Sequence, residues 1–148
     1  MYPKSLRWPK NIELIEHIPP PEHRAFYNSQ LATLNVTRAD MVRAGYSPSV
    51  RLFEAGACGT PIVTDRWDGI ETIFVPGNEI LVADDAADAE TYLSMPAAEL
   101  RAVGARARKR VLAEHTSARR AAQLDAYVAE LAGARARRST PRDRAATG

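Results

Sequence analysis

The run Pro48-Ser49-Val50-Arg51-Leu52-Phe53-Glu54-Ala55-Gly56-Ala57-Cys58-Gly59-Thr60-Pro61-Ile62-Val63-Thr64-Asp65 decides the fold. Proline suits the first turn of a helix, where its missing N–H would have no partner anyway. Val50, Phe53 and Ala57 then recur at i, i+3 and i+7, one face of an amphipathic helix. Gly59 is placed to end that helix in a left-handed conformation, and Pro61 prevents its continuing. Ile62 and Val63 begin a strand that empties into the polar loop Thr64 to Gly69. A helix feeding a strand through so short a turn is half of a parallel, helix-covered sheet.

Working outward, Ala32 to Val36 reads as a buried strand ending in Asn35, Val36, Thr37 and Arg38, followed by a loop from Ala39 to Ser47 that contains Gly45. Further upstream, Ile12, Leu14, Ile15 and Ile18 predict a strand over residues 11–18, which Pro19, Pro20 and Pro21 stop. Glu22 to Gln30 follows as a short helix with Phe26 and Tyr27 turned inward, and residues 1–10 read as an extended lead-in. Downstream come a short helix around Ile70 to Phe74, a Pro76–Gly77 turn and a strand from Glu79 to Val82. The rest is helical. Leu100, Val103, Ala107 and Val111 make one apolar stripe, and Leu124, Tyr127, Val128 and Leu131 make another. From Gly133 the periodicity is lost, and residues 133–148 are expected to be a basic, disordered tail behind a domain spanning 1–132. The fold class is therefore α/β, a Rossmann-like parallel sheet of about four strands flanked by helices, with long C-terminal helices.

Composition narrows the function. The chain has 148 residues, 45% hydrophobic and 26% charged, enough for one domain with a core. No apolar run reaches the roughly 20 residues that cross a bilayer, and Met1 to Lys10 lacks a signal-peptide core. The single cysteine, Cys58, excludes an internal disulfide, and a cytoplasmic location is the expectation. Net charge is only +2, yet arginines crowd the last third, Arg119 and Arg120 among them. No aromatic residues interleave with them and no groove-reading motif is present, so they read as a solvated face and no nucleic acid is expected as a partner. No Asp-x-Asp motif occurs, and His17, His23 and His115 lack paired ligand spacing, so neither metal nor cofactor is expected.

In open parallel sheets, ligands sit beyond the carboxyl ends of the strands. Two such ends carry polar residues here, Asn35 to Arg38 and Thr64 to Gly69, and between them lies the junction Gly45-Tyr46-Ser47-Pro48-Ser49-Val50. Free N–H groups in a helix's first turn bind anions, which places a diphosphate at Ser49, Val50 and Arg51. Arg38 is the nearest basic residue at a strand end, equally readable as a surface arginine. Glu54 lies one and a half turns into the helix, where a carboxylate can accept from both hydroxyls of a ribose. Periodicity by itself reads it as a half-exposed glutamate paired with Arg51. Trp67, after a strand, reads either as part of a lid over the ligand or as an anchor for its loop.

The run from Pro48 to Asp65 closely resembles the donor-site segment of retaining glycosyltransferases of the GT-B fold. Gly69-Ile70-Glu71, Pro76 to Val82 and Asp88 fall where that family has its next loop, turn and strand. Asn35-Val36-Thr37-Arg38-Ala39-Asp40-Met41 followed by Gly45 to Glu54 is most similar to the CgeB-like, spore-maturation-type group, and the similarity covers roughly residues 10–130. The resemblance implies the C-terminal, nucleotide-sugar-binding part of a two-domain enzyme, in which Glu54 hydrogen-bonds the ribose and Gly45 to Val50 face the sugar and diphosphate. The family often has two glutamates eight positions apart, and the earlier position here is Tyr46. The groups the family draws from its N-terminal domain and from the start of its C-terminal domain have no counterpart, so the chain is expected to be inactive without a further domain.

These readings leave three functions: a donor-binding glycosyltransferase part, a degenerate non-catalytic module, and a binder of anionic polymers or surfaces. The first takes a nucleotide diphosphate sugar and either an N-terminal glycosyltransferase domain or a second copy of the chain as partner. The last helix, from Ser117 to Ala132, is expected to dock unusually or to be loosely held.

Overall fold

In the computed structural model, which describes residues 7–139, a 3-10 turn over Pro20–Glu22 runs into α1 (His23–Asn28). α1 buries Tyr27, with Phe26 packed edge-on beside it. The strand expected over 11–18 does not form: residues 11–17 are exposed, and the Ile18 carbonyl accepts instead from His23 Nε2 at 2.9 Å. A strand persists only where a neighbour pairs with its N–H and C=O groups, and no described strand lies beside this segment. Alternating apolar residues were present, but their partner was not. Of the lead-in, residues 1–6 lie outside the described residues.

β1 (Thr33–Asn35) follows, then α2 (Ala39–Ala44), which occupies most of the expected loop. α2 buries nothing, so it left no apolar stripe to read, and Gly45 at φ 63° ends it. α3 (Val50–Cys58) is capped by Ser49, whose Oγ accepts from the Arg51 N–H at 3.4 Å. Gly59 stops it at φ 78°, in the left-handed region as expected. The helical period was right and the face was not. Leu52, Ala55 and Gly56 are buried, whereas Val50 is exposed and Phe53 and Ala57 are half-buried.

β2 (Ile62–Asp65) leads through a 3-10 turn at Ile70–Thr72 to β3 (Leu81–Ala83). The helices α4 (Ala86–Leu93), α5 (Ala97–Glu114) and α6 (Ser117–Ser139) complete the chain. The sheet has three strands rather than four, all parallel, in the order β1-β2-β3. Its register pairs Asn35 with Thr64, and Thr64 with Val82, so the carboxyl ends of all three strands finish within one residue of one another.

Alternation sends Ile62 to one face and Val63 to the other. The first face packs with Leu52, Ala55, Phe74 and Ile80 against α1 and α3, and the second with Leu81, Leu100 and Val103 near α4. α5 serves both clusters, its predicted stripe Leu100, Val103, Ala107 and Val111 being buried throughout. α3 and α5 cross closely because both carry glycine there: a Cβ on Gly104 would run into the carbonyl of Gly59, and one on Gly56 would press on Val111. The second stripe behaves differently. Leu124, Tyr127, Val128 and Leu131 are all exposed, and α6 continues through Gly133 to Ser139. The remainder of the expected tail, residues 140–148, lies outside the described residues.

Candidate functional site

The carboxyl ends of β1 and β2 are tied by a small polar knot. Buried Asn35 donates from Nδ2 to Thr64 Oγ1 at 3.0 Å and to Thr37 Oγ1 at 3.3 Å. The Asp65 carboxylate accepts the Thr37 N–H at 3.0 Å and the Thr37 hydroxyl at 2.6 Å. Buried polar groups must be satisfied, and here each satisfies another. The knot fixes the backbone that leaves β1 toward Arg38.

Beside it, Asn35 to Arg38, Met41 and Pro48 to Arg51 enclose a cavity of about 250 Å³. Five of the sequence-predicted residues meet here: Asn35, Arg38, Ser49, Val50 and Arg51. The first turn of α3 supplies the cavity with Ser49, Val50 and the positive end of a nine-residue helix. Arg38 is exposed, while Arg51 reaches away to the Leu34 carbonyl at 3.5 Å.

Glu54 lies deeper along α3 and does not line that cavity. Its Oε2 accepts from the Tyr27 hydroxyl at 3.3 Å, and its Oε1 is 3.4 Å from His23 Nδ1. The pairing with Arg51 that helical spacing offers is not made; the partners come from α1. The Glu54 side chain keeps 35% of its surface exposed. Burial, then the Glu54 charge, push the Tyr27 phenol above its ordinary pKa, since both disfavour a phenolate.

Gly45, Tyr46 and Ser47 run on toward a second cleft. Tyr46 is a non-glycine residue at φ 47°, held there as its N–H donates to the Asp68 carbonyl at 2.8 Å. Its ring covers Gly69, where any Cβ would collide with it, and is itself 71% exposed. This cleft, of about 800 Å³, is closed on its far side by His115, Arg119, Arg120 and Gln123 at the α5–α6 corner. Ser47 and Gly45 line neither cavity. Trp67 is buried in the floor, which supports the anchor reading over an open lid. Sequence reasoning placed Arg119 and Arg120 in a solvated stripe; their adjacency at the start of a helix was visible, but the turn that brings them opposite Tyr46 is a tertiary fact.

Across the strand ends, Arg66 grips Asp84 with two bonds of 2.8 and 3.0 Å. That contact holds the Asp84 carboxyl below its ordinary value. Among the described residues no three His, Cys, Asp or Glu side chains cluster as a metal site would require, and no helix is long and apolar enough to cross a membrane.

Residues 3–126 match the family described as glycosyl transferase-like. No curated protein and no solved structure matches the chain. The family match spans most of the sequence and includes every residue of the cavity at the end of β1. With its parallel, helix-flanked sheet and a role related to glycosyl transfer, this chain belongs to the glycosyl transferase-like family.

Proposed function

We propose that the chain binds a nucleotide diphosphate sugar at the carboxyl end of β1, as the donor-binding part of a GT-B glycosyltransferase of the CgeB-like group. The observation that carries this reading is the cavity in which the first turn of α3 faces the end of β1 and Arg38. The diphosphate sits on the Val50 N–H and the Ser49 hydroxyl, with Arg38 as counter-charge. Glu54 turns its open side to the ribose diol, keeping His23 and Tyr27 behind it. Gly45, Tyr46 and Ser47 carry the chain past the sugar. When the bond from the anomeric carbon to the diphosphate breaks, negative charge grows on the departing phosphate, and the helix terminus and Arg38 oppose it. Completing the transfer requires groups from an N-terminal glycosyltransferase domain.

A second reading, a binding module that has lost catalysis, draws on Tyr46 in place of a carboxylate and on the engagement of Glu54 by α1. Calorimetric titration with uridine and guanosine diphosphates, beside the Glu54→Ala and Arg38→Ala variants, separates the two. The donor reading expects binding by the unmutated chain and a loss of about tenfold or more in each variant, as for hydrogen bonds to charged groups. No nucleotide binding by the unmutated chain would overturn it and leave the second reading.

A further inference from the structure

The corner between α5 and α6 is held by a histidine whose proton can be placed from its neighbours. His115 Nε2 lies 3.1 Å from the Ile73 carbonyl, which can only accept, so Nε2 carries the proton. Nδ1 is then the acceptor, and Arg120 donates to it through Nη2 at 2.6 Å. The same guanidinium donates through Nη1 to Gln123 Oε1 at 2.8 Å, within its own helix. Arg120 thus links α6 to a neutral imidazole, and the imidazole links it to the rest of the chain. A second proton on the ring would break this link. Nδ1 would become a donor facing a donor, and an imidazolium would face a guanidinium at hydrogen-bond distance.

The surroundings decide which side gives way. The ring sits against Phe53 of α3 and against Phe74, with centroids 5.6 and 6.2 Å away. Aromatic rings attract a cation at about 6 Å, and the Ile73 carbonyl accepts from Nε2 whether or not Nδ1 is protonated. His115 also terminates α5, where the last carbonyls present partial negative charge. A protonated ring therefore keeps its place. α6 has no comparable hold, since every residue from Ser117 to Ala132 is exposed. Its first turn lacks an acidic residue and carries Arg119 and Arg120, both opposed by the positive end of their own helix. On the α5 side, Glu114 is already bound to Arg110 at 2.7 Å, and Arg110 to Glu79 at 3.0 Å. Across the cleft stands Tyr46.

We propose that the α5–α6 corner is a pH-sensitive hinge, in which neutral His115 holds α6 through Arg120 and a second proton on His115 releases it. Histidine is the side chain whose ordinary charge change falls near neutral pH. Release carries Arg119, Arg120 and Gln123, which form one wall of the cleft of about 800 Å³, away from Tyr46. The hinge needs no nucleotide and stands whether or not the donor reading does.

Native-state amide exchange of the full chain between about pH 7.5 and 5, read by NMR together with the histidine ring nitrogens, tests this. At the neutral end the His115 ring should carry a proton on Nε2 and none on Nδ1. As the His115 nitrogens titrate, the opening constant for the amides of Ala121, Ala122 and Gln123, corrected for intrinsic exchange, should rise about tenfold per pH unit, the slope for uptake of one proton. Amides from Leu100 to Val111 should not follow, which separates release of the hinge from acid unfolding. His115→Gln can accept from Arg120 and donate to Ile73 at every pH, so it should stay closed and lose the acid response. Arg120→Met should open the corner at least about tenfold already at neutral pH, as for loss of a hydrogen bond from a charged group, and acid should add nothing further. Arg120 is exposed, and a circular dichroism melt confirms that this variant folds. A proton on Nδ1 at neutral pH, an opening constant that ignores the His115 titration, or an acid response that survives in His115→Gln would each overturn the proposal. Should His115→Gln fail to fold, the unmutated chain and Arg120→Met decide the matter, since an acid response that persists in Arg120→Met overturns it as well.

Discussion

Tyr27 joins the core to the site through a single hydroxyl. Its ring is buried beneath α3, and its oxygen donates to Glu54. At neutral pH, Tyr27→Phe should cost about 1 kcal/mol in urea unfolding, the net value of a typical hydrogen bond. The pH dependence has a definite sign. A pKa raised in the folded state means that Tyr27 contributes its full stability below the ordinary phenol value of 10.0 and loses it as pH climbs through the folded value. The unmutated chain should therefore lose stability in that alkaline window, and Tyr27→Phe should lose less; identical curves would show that Glu54 and burial do not act on this phenol. At this scale the sequence was informative about type and silent about partner. Glu54 stood out as a carboxylate among small residues, but helical spacing offered only Arg51, whereas His23 and Tyr27 arrive from a helix some thirty residues away in the chain. Tyr46 was legible as a departure from a family pattern, and its platform against Gly69 was not.

Helices were read well where packing imposes a stripe and poorly where it does not. The buried stripe of α5 was visible because four apolar residues recur at helical spacing; α2 was missed because no side chain in it is buried. The face of α3 was misjudged for a related reason. Large residues suggested Val50 and Phe53, but α5 approaches α3 so closely that a Cβ on Gly56 would press on Val111, and the buried positions are Leu52, Ala55 and Gly56. Arg108 completes the contact by donating to the Ala57 carbonyl at 3.1 Å, one of the carbonyls a helix end leaves unpaired. Gly104 is the point of closest approach. Alanine there would gain about 1 kcal/mol of helix propensity, yet its methyl would meet the Gly59 backbone, which cannot rotate aside. Overpacking of this kind costs about 1–3 kcal/mol, so Gly104→Ala should be neutral to destabilising by about 2 kcal/mol in urea denaturation. A clear gain in stability would mean that the helices separate at no cost. Because α3 carries Ser49, Val50 and Glu54, any such separation also moves the candidate donor site.

The whole molecule divides into a sheet with two packed faces and a helix that leaves them. The parallel order of strands, helices and turns was legible from Pro and Gly positions and from apolar runs, which are local signals. The missing fourth strand was not, because pairing depends on a neighbour rather than on the segment itself. α6 follows the same logic. Its stripe at Leu124, Tyr127, Val128 and Leu131 predicts a helix correctly, but the stripe faces water, and every residue from Ser117 to Ala132 is exposed. Isolated helices are marginal in water, and most helical stability in a domain comes from burying an apolar face. With no such burial beyond the corner at His115, α6 should open locally at far lower free energy than α5, whose stripe is in the core. Native-state hydrogen exchange should accordingly show amides from about residue 124 onward exchanging much faster than those of Leu100 to Val111. Leu131→Lys should leave global stability within about 0.5 kcal/mol of the unmutated chain, as surface substitutions do. Protection in α6 equal to that in α5, or a large loss on Leu131→Lys, would show that the stripe is covered in solution. The first turn of α6 is a separate matter, since Arg120 is tied to His115 and through it to Ile73. Exchange should slow again toward that corner, so that Arg119 and Arg120 stay opposite Tyr46 while the rest of the helix opens.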